Sequence, residues 1–167
     1  MTSFKTDREL LAYLAGAMDS DGSICIVRKK PKNKSRIWPY YMPSVRIGQI
    51  HDGICRLMKS RFGGSIHIRI EKKKRFPSGR FLNPKPMFIW GAQCGKAEEV
   101  AIALLPFLRI KKKQARLVMK ARGLAIRSAK FYHRRRKIYE ERGRAMMHKA
   151  LNDCWLEMGD LNMKSKR

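Results

Sequence analysis

Leu11, Leu14 and Met18 recur at spacings of three and four behind Thr6-Asp7-Arg8-Glu9, the period of one face of a helix. The Thr-x-x-Glu form is a capping box, in which each residue satisfies an exposed backbone N–H near the other, so the helix is predicted to begin there. Ala12, Ala15, Gly16 and Asp19 line a second stripe of the same helix. One face is greasy and the other small. Ser23 to Lys30 is rich in β-branched residues and predicts a strand, followed by a basic loop from Pro31 to Pro39. A second strand, Tyr41 to Gln49, alternates Val45 and Ile47 with Ser44, Arg46 and Gly48, which suggests an antiparallel pair. His51 to Phe62 reads as a helix closed by Gly63-Gly64. Ile66, Ile68 and Ile70 then alternate with His67, Arg69 and Glu71, placing the first set on a core face and the second outward.

Lys72 to Pro86 carries the turn signal Pro77-Ser78-Gly79, and Met87 to Gly91 predicts a fourth strand. Helices are expected over about Lys96 to Leu105, Leu108 to Ala125 and Ala145 to Leu156, with a frayed tail beyond Gly159. The order is αββ, αββ, then helices. At 167 residues the length suits one domain. Its core is expected over about residues 6–125, with a basic helical extension over about 126–167.

Charge changes the picture. Lys and Arg number 39 against 13 Asp and Glu, a net +26, yet 44% of the chain is hydrophobic, enough for a core. A folded domain with this field seeks a polyanion, and nucleic acid is the first candidate. The longest uncharged apolar run, Val100 to Leu108, contains Pro106 and falls well short of the ~20 residues a membrane span needs. The charged start MTSFKTDREL lacks the apolar stretch of a secretory signal. The expectation is a soluble, intracellular protein of an organelle or a prokaryotic cytoplasm, with no membrane partner. The cysteines, Cys25, Cys55, Cys94 and Cys154, form no CxxC pair and the histidines complete no zinc spacing.

Leu14-Ala15-Gly16-Ala17-Met18-Asp19-Ser20-Asp21-Gly22 resembles the signature of the LAGLIDADG homing endonucleases, matching six of nine positions with both glycines and both aspartates. The match closes a predicted helix and leads into a strand, as that family's fold requires. Two further matches follow in order: Gln49 near the end of the second strand, and Pro106-Phe107-Leu108-Arg109-Ile110-Lys111-Lys112-Lys113-Gln114 after the third helix. The resemblance implies an α+β fold, αββαββα, with a saddle-shaped antiparallel sheet and C-terminal helices. It implies the single-motif branch, since no second motif occurs. The small residues Ala12, Ala15 and Gly16, with Asp19, are therefore the expected contact with a second copy of the chain, a homodimer. Two-fold symmetry would bring two Asp21 carboxylates together, a site for divalent cations.

The resemblance implies a site-specific enzyme that binds a long, nearly palindromic double-stranded DNA and hydrolyses a phosphodiester in each strand, leaving short 3′ overhangs. Mg²⁺ is the implied cofactor, with Mn²⁺ as a substitute and Ca²⁺ as a non-catalytic one. Asp21 is the implied metal ligand with the Ser20 carbonyl as companion, although an Asp before Gly can also simply make an Asx turn. Gln49 matches a residue that orients solvent, and Lys111 one that neutralises charge at the scissile phosphate. Where a second basic residue often follows the Gln, this chain has His51. Sheet residues expected on DNA are Cys25, Val27, Lys29, Arg46, His67, Arg69 and Glu71, with Arg46 and Arg69 first for bidentate reading of guanine. Cys25 and Val27 would either meet thymine methyls or pack under a loop. Lys113, Arg134 and Arg135 are expected on phosphates. The alternative is a protein on the same fold without cleavage, an intron-RNA maturase, which would bind RNA, or a DNA-binding regulator.

Overall fold

The computed structural model describes residues 4–30, 38–70, 74–75, 81–82, 85–132 and 137–164. Helix α1, Asp7–Asp21, starts where the capping box places it, with the Glu9 N–H donating to Thr6 Oγ1 at 3.2 Å. The reciprocal bond is displaced by one residue, because Glu9 Oε2 accepts from the Lys5 N–H at 2.9 Å. α1 passes directly into β1, Gly22–Lys29. Gly22 is required there by crowding, since a Cβ would lie 2.6 Å from the Met18 carbonyl oxygen. β2, Tyr40–Gln49, returns antiparallel and α2, Gly53–Phe62, follows.

After β3, Ser65–Arg69, a two-residue pair, β4, Lys74–Arg75, and β5, Phe81–Leu82, occupies part of the segment read from sequence only as a turn. The predicted Pro77-Ser78-Gly79 turn lies outside the described residues. β6, Met87–Gln93, runs two residues beyond the predicted strand, and α3, Gly95–Leu104, follows. The main sheet has the order β1-β2-β6-β3, all antiparallel.

Cross-strand pairing assigns the two faces. Ile24 faces Val45, which faces Ala92; Ile47 faces Trp90, which faces Ile66. These residues turn toward α1, α3 and α4 and, with Leu14, Met18, Phe62, Val100 and Val118, build one core. The other face is the more open one at its ends, with Lys29, Arg46, His67 and Arg69 exposed, while Met42 and Ser44 within it are buried. Ile68 and Ile70 depart from expectation: they are 60% and 75% exposed. Their phase along the strand is as predicted, with Ile68 opposite Phe88, but α2 offers Arg56, Lys59 and Ser60 there across an open cleft rather than an apolar stripe.

Two C-terminal helices complete the fold. α4, Lys112–Tyr132, begins four residues later than the sequence predicted and continues past Ala125, so the expected edge of the core falls inside a helix. α5, Lys137–Lys164, is much longer than Ala145 to Leu156 and does not end at Gly159. Leu151, Cys154 and Met158 bury its inner stripe and Leu161 continues it, which is why the chain stays helical past Gly159 to Lys164 in place of the expected fraying.

Gly64 follows α2 with φ +83°, and a Cβ there would lie 2.8 Å from the Gly91 carbonyl and 3.0 Å from Trp90 Nε1. Gly64→Ala is expected to cost about 2 kcal/mol or more, a left-handed penalty of about 1–2 kcal/mol plus the collision. Gly53→Ala, at the open start of α2 with no neighbour within 4 Å, should shift stability by less than about 0.5 kcal/mol. Urea midpoints of the two variants check the ranking.

Candidate active site and nucleic-acid interface

The helix ending at Asp21 and the loop entering α4 hold each other through two opposite sets of bonds. Asp19 Oδ2 accepts from the N–H groups of Arg109 at 2.7 Å and Ile110 at 3.2 Å, and Asp19 Oδ1 accepts from the Lys111 N–H at 2.9 Å. In return, Lys111 Nζ donates to the carbonyls of Met18 at 2.8 Å and Asp19 at 2.6 Å, which close the last turn of α1. Each side chain satisfies backbone groups that a helix leaves orphaned at its ends. α4 starts at Lys112, directly after these bonds, with the Ala115 N–H donating to the Lys111 carbonyl at 3.0 Å. Asp19, grouped from the sequence with the residues of the expected subunit contact, commits its carboxylate to bracing its own chain.

Lys111 is 8% exposed. Burial lowers its ammonium from the usual lysine value, and the charges of Asp19 and Asp21 oppose that shift. Two of its three donors are used on carbonyls, leaving one N–H for a further acceptor. Gln49, at the end of β2, donates from Nε2 to Asp21 Oδ2 at 3.0 Å, fixing the carboxylate. Asp21, Gln49 and Lys111, from α1, β2 and the loop before α4, thus meet at one corner. The Ser20 hydroxyl turns back to the Ala17 carbonyl at 3.1 Å, which leaves its own carbonyl as the group at the corner. Lys112 and Lys113 open α4 with no acidic residue in its first turn. Cations there oppose the helix dipole at a cost of about 0.3–1 kcal/mol each, so the charge serves something other than the helix. Lys113 is exposed, as is His51, beyond the end of β2.

The face of the sheet opposite the core starts at that corner. By register it carries Cys25, Val27 and Lys29 from β1, Arg46 from β2, and His67 and Arg69 from β3. All six described sheet residues expected on DNA share this face. Cys25 and Val27 are partly buried, whereas Lys29, Arg46, His67 and Arg69 are exposed. Pairing adds residues that the sequence did not mark: Gln93 opposite Ser44, Ile89 opposite His67, and Ser65 opposite Gly91. β6 is apolar on both faces through Met87-Phe88-Ile89-Trp90, so periodicity could not phase it; only its partners do. No carboxylate occurs on this face among the described residues. Glu71, Arg134 and Arg135 lie outside the described residues.

On the exposed side of α1, Ala12, Gly16 and Ser20 form a small-residue stripe beside Tyr13, and a Cβ at Gly16 would meet nothing within 4 Å. Ala15, assigned to this stripe from the sequence, is fully buried in its own core; it sits with Leu14 and Met18, one helical position away from the open side.

A carboxylate carrying three N–H bonds and one ending a helix should differ in mutation. Asp19→Ala should destabilise by about 2–4 kcal/mol, because charge-assisted bonds are lost and N–H groups are left unpaired. Asp21→Asn should change stability by less than about 1 kcal/mol or raise it, since a carboxylate at a helix C-terminus opposes the dipole. Thermal unfolding of both variants tests this, and the reverse ranking would sink the assignment of Asp19 as the brace.

No protein-family sequence model and no curated protein sequence matches the chain. Solved structures do. The homing endonuclease I-CvuI, in complex with its target in the presence of calcium, is 16% identical, covering 92% of this chain and 96% of that one, at TM-score 0.58. The archaeal intron-encoded homing endonuclease I-Vdi141I, complexed with DNA, is 14% identical over 95% and 99% of the chains at TM-score 0.55. The LAGLIDADG homing endonuclease I-GzeII, with its DNA target, is 15% identical at TM-score 0.61 over 89% of this chain but 44% of its own. The likeness runs almost end to end through single-length and longer chains alike, and the chain has the LAGLIDADG homing endonuclease fold.

Proposed function

We propose that this chain is a homodimeric homing endonuclease that binds a long, nearly palindromic DNA duplex and hydrolyses one phosphodiester in each strand with the help of a divalent cation. The observation that carries this reading is the convergence of Asp21, Gln49 and Lys111 at the edge of a basic sheet face that holds no carboxylate among the described residues. The DNA complexes of I-CvuI and I-Vdi141I support it.

The donor set fits Mg²⁺ as one half of a site. Asp21 and the Ser20 carbonyl supply hard oxygens, and no cluster of three potential side-chain ligands occurs among the described residues. Mg²⁺ is commonly held by one or two carboxylates with phosphate oxygens and waters, a shell that Asp21 from each of two copies would complete. When bound, the cation neutralises charge on the phosphate and makes water a better nucleophile. The chain's residues do the rest: Gln49 keeps the Asp21 carboxylate oriented, and the Lys111 N–H not engaged by carbonyls stabilises negative charge on the phosphate in the transition state. The outer face of the sheet occupies the major groove, with Arg46 and Arg69 on guanine edges and Lys113 on phosphate. The Ala12, Gly16 and Ser20 stripe admits the same stripe of a second α1 at close range.

The test is incubation of purified protein with Mg²⁺ and a genomic or randomised duplex library, with the ends mapped at base resolution. Paired breaks at one two-fold-related sequence are expected. Asp21→Asn and Ca²⁺ replacement should both retain binding and abolish cleavage, and Lys111→Met should slow cleavage by about 10²–10³-fold. Binding without breaks across several divalent metals would overturn the nuclease reading in favour of a non-cleaving protein on this fold.

Gly16→Leu tests the dimer separately. In sedimentation it should shift the protein to monomer, and an unchanged mass would place the subunit contact elsewhere.

A further inference from the structure

α5 contacts the sheet through a stripe distinct from its buried one, and each contact falls at the far end of the β1–β2 pair. Tyr41 Oη donates to Asn152 Oδ1 at 2.9 Å. The Arg28 guanidinium lies over the Trp155 ring, 5.2 Å from its centroid. Trp38, just before β2, stacks on His148 with centroids 5.0 Å apart and an interplanar angle of 10°. His148, Asn152 and Trp155 are spaced by four and three, one face of a helix. Their partners are equally ordered, because Arg28 and Tyr41 are cross-strand neighbours. Both ring nitrogens of half-buried His148 are sealed from solvent without a hydrogen-bond partner among the described residues, and burial pushes its pKa down. It serves here as a flat ring stacked on Trp38. At the same level on the opposite face of the strands stand Val27, Lys29 and Tyr40.

We propose that the His148–Asn152–Trp155 stripe of α5 is a positioning brace that sets the inclination of the β1–β2 arm and thereby the recognition of the outer base pairs of each half-site. This rests on the DNA-binding reading above. Arg28 lies seven residues beyond Asp21, about 23 Å along a strand at ~3.3 Å per residue. At about 3.4 Å per base pair that is about seven base pairs from the cleavage corner. An arm held only at its root would sample a range of tilts. Three contacts on its back, at its far end, remove that freedom before DNA arrives, so less entropy is lost on binding.

The test compares position-resolved binding preferences of the parent and variants, selected from a randomised duplex library in Ca²⁺. Trp155→Ala and Asn152→Ala should each lower discrimination about tenfold at positions about seven base pairs from the centre of cleavage and leave the central positions unchanged. Trp155→Tyr, which keeps a ring under Arg28, should restore the parent profile. Asn152 is partly exposed at the surface of α5, so its variant keeps the test alive if Trp155→Ala unfolds. A uniform loss at all positions, or unchanged outer preferences in both alanine variants, overturns the brace while leaving the DNA-binding reading in place. A parent with no duplex preference at all overturns both.

Discussion

The reciprocal clamp between Asp19 and Lys111 is the constraint on which the candidate site depends. α1 ends with carbonyls that need donors, and the chain entering α4 has N–H groups that need acceptors. One carboxylate and one ammonium, 92 residues apart in sequence, answer both needs at once. The same bonds that close the two helix ends bring Lys111 beside Asp21, and Gln49 then fixes the Asp21 carboxylate from the sheet. Stability and candidate chemistry therefore share atoms. The two aspartates of the motif divide the work: Asp19 accepts three N–H bonds inside the chain, and Asp21 faces outward with Gln49 on its carboxylate.

The second constraint is the division of the sheet into two faces. Helices cover one side, and the cross-strand register carries Ile24, Val45 and Trp90 to it together. The same register gathers Lys29, Arg46, His67 and Arg69 on the other. Packing and recognition are two readings of a single period of two. The side facing solvent is without acids among the described residues, although the chain pairs acids elsewhere: Asp7 with Arg61, Asp52 with Arg56, Glu99 with Lys96. Those carboxylates are spent on ion pairs and helix ends away from the sheet face, whose described charged residues are basic. A net charge of +26 opposes compaction through self-repulsion, and a polyanion laid on that face relieves it.

The helices at the C-terminal end show how the basic extension is tied to the rest. α5 is amphipathic through Leu151, Cys154 and Met158, and beside that apolar stripe runs a polar and aromatic one that meets Arg28, Trp38 and Tyr41. The first stripe anchors the helix and the second orients the strands it lies against. A helix that only covered a core would have no need of the second.

The sequence by itself determined the order of elements, the start of α1, the apolar set that forms the core and, through the motif, Gln49 and the basic run around Lys111, the residues that converge at the site. Those features are local or periodic, and periodicity survives without coordinates. Periodicity also phased β2 and β3, and the family resemblance β1, well enough to put six outward residues on one face. What lay outside its reach depended on what each position met. Ala15 and Gly16 are neighbours of similar size, yet one is sealed in the core and the other open, because only the docking of α1 decides which side faces in. Asp19 and Asp21 belong to one motif, and only the fold shows that the partners of Asp19 are the N–H groups of Arg109, Ile110 and Lys111. Ile68 and Ile70 carry a core pattern with no apolar surface opposite them, and β6 has no pattern until its partners assign its faces. The true length of α5 and its second stripe are likewise properties of what it touches. Hydrogen-bond demand at helix ends and complementarity between distant surfaces are non-local, so the tertiary structure alone decided them.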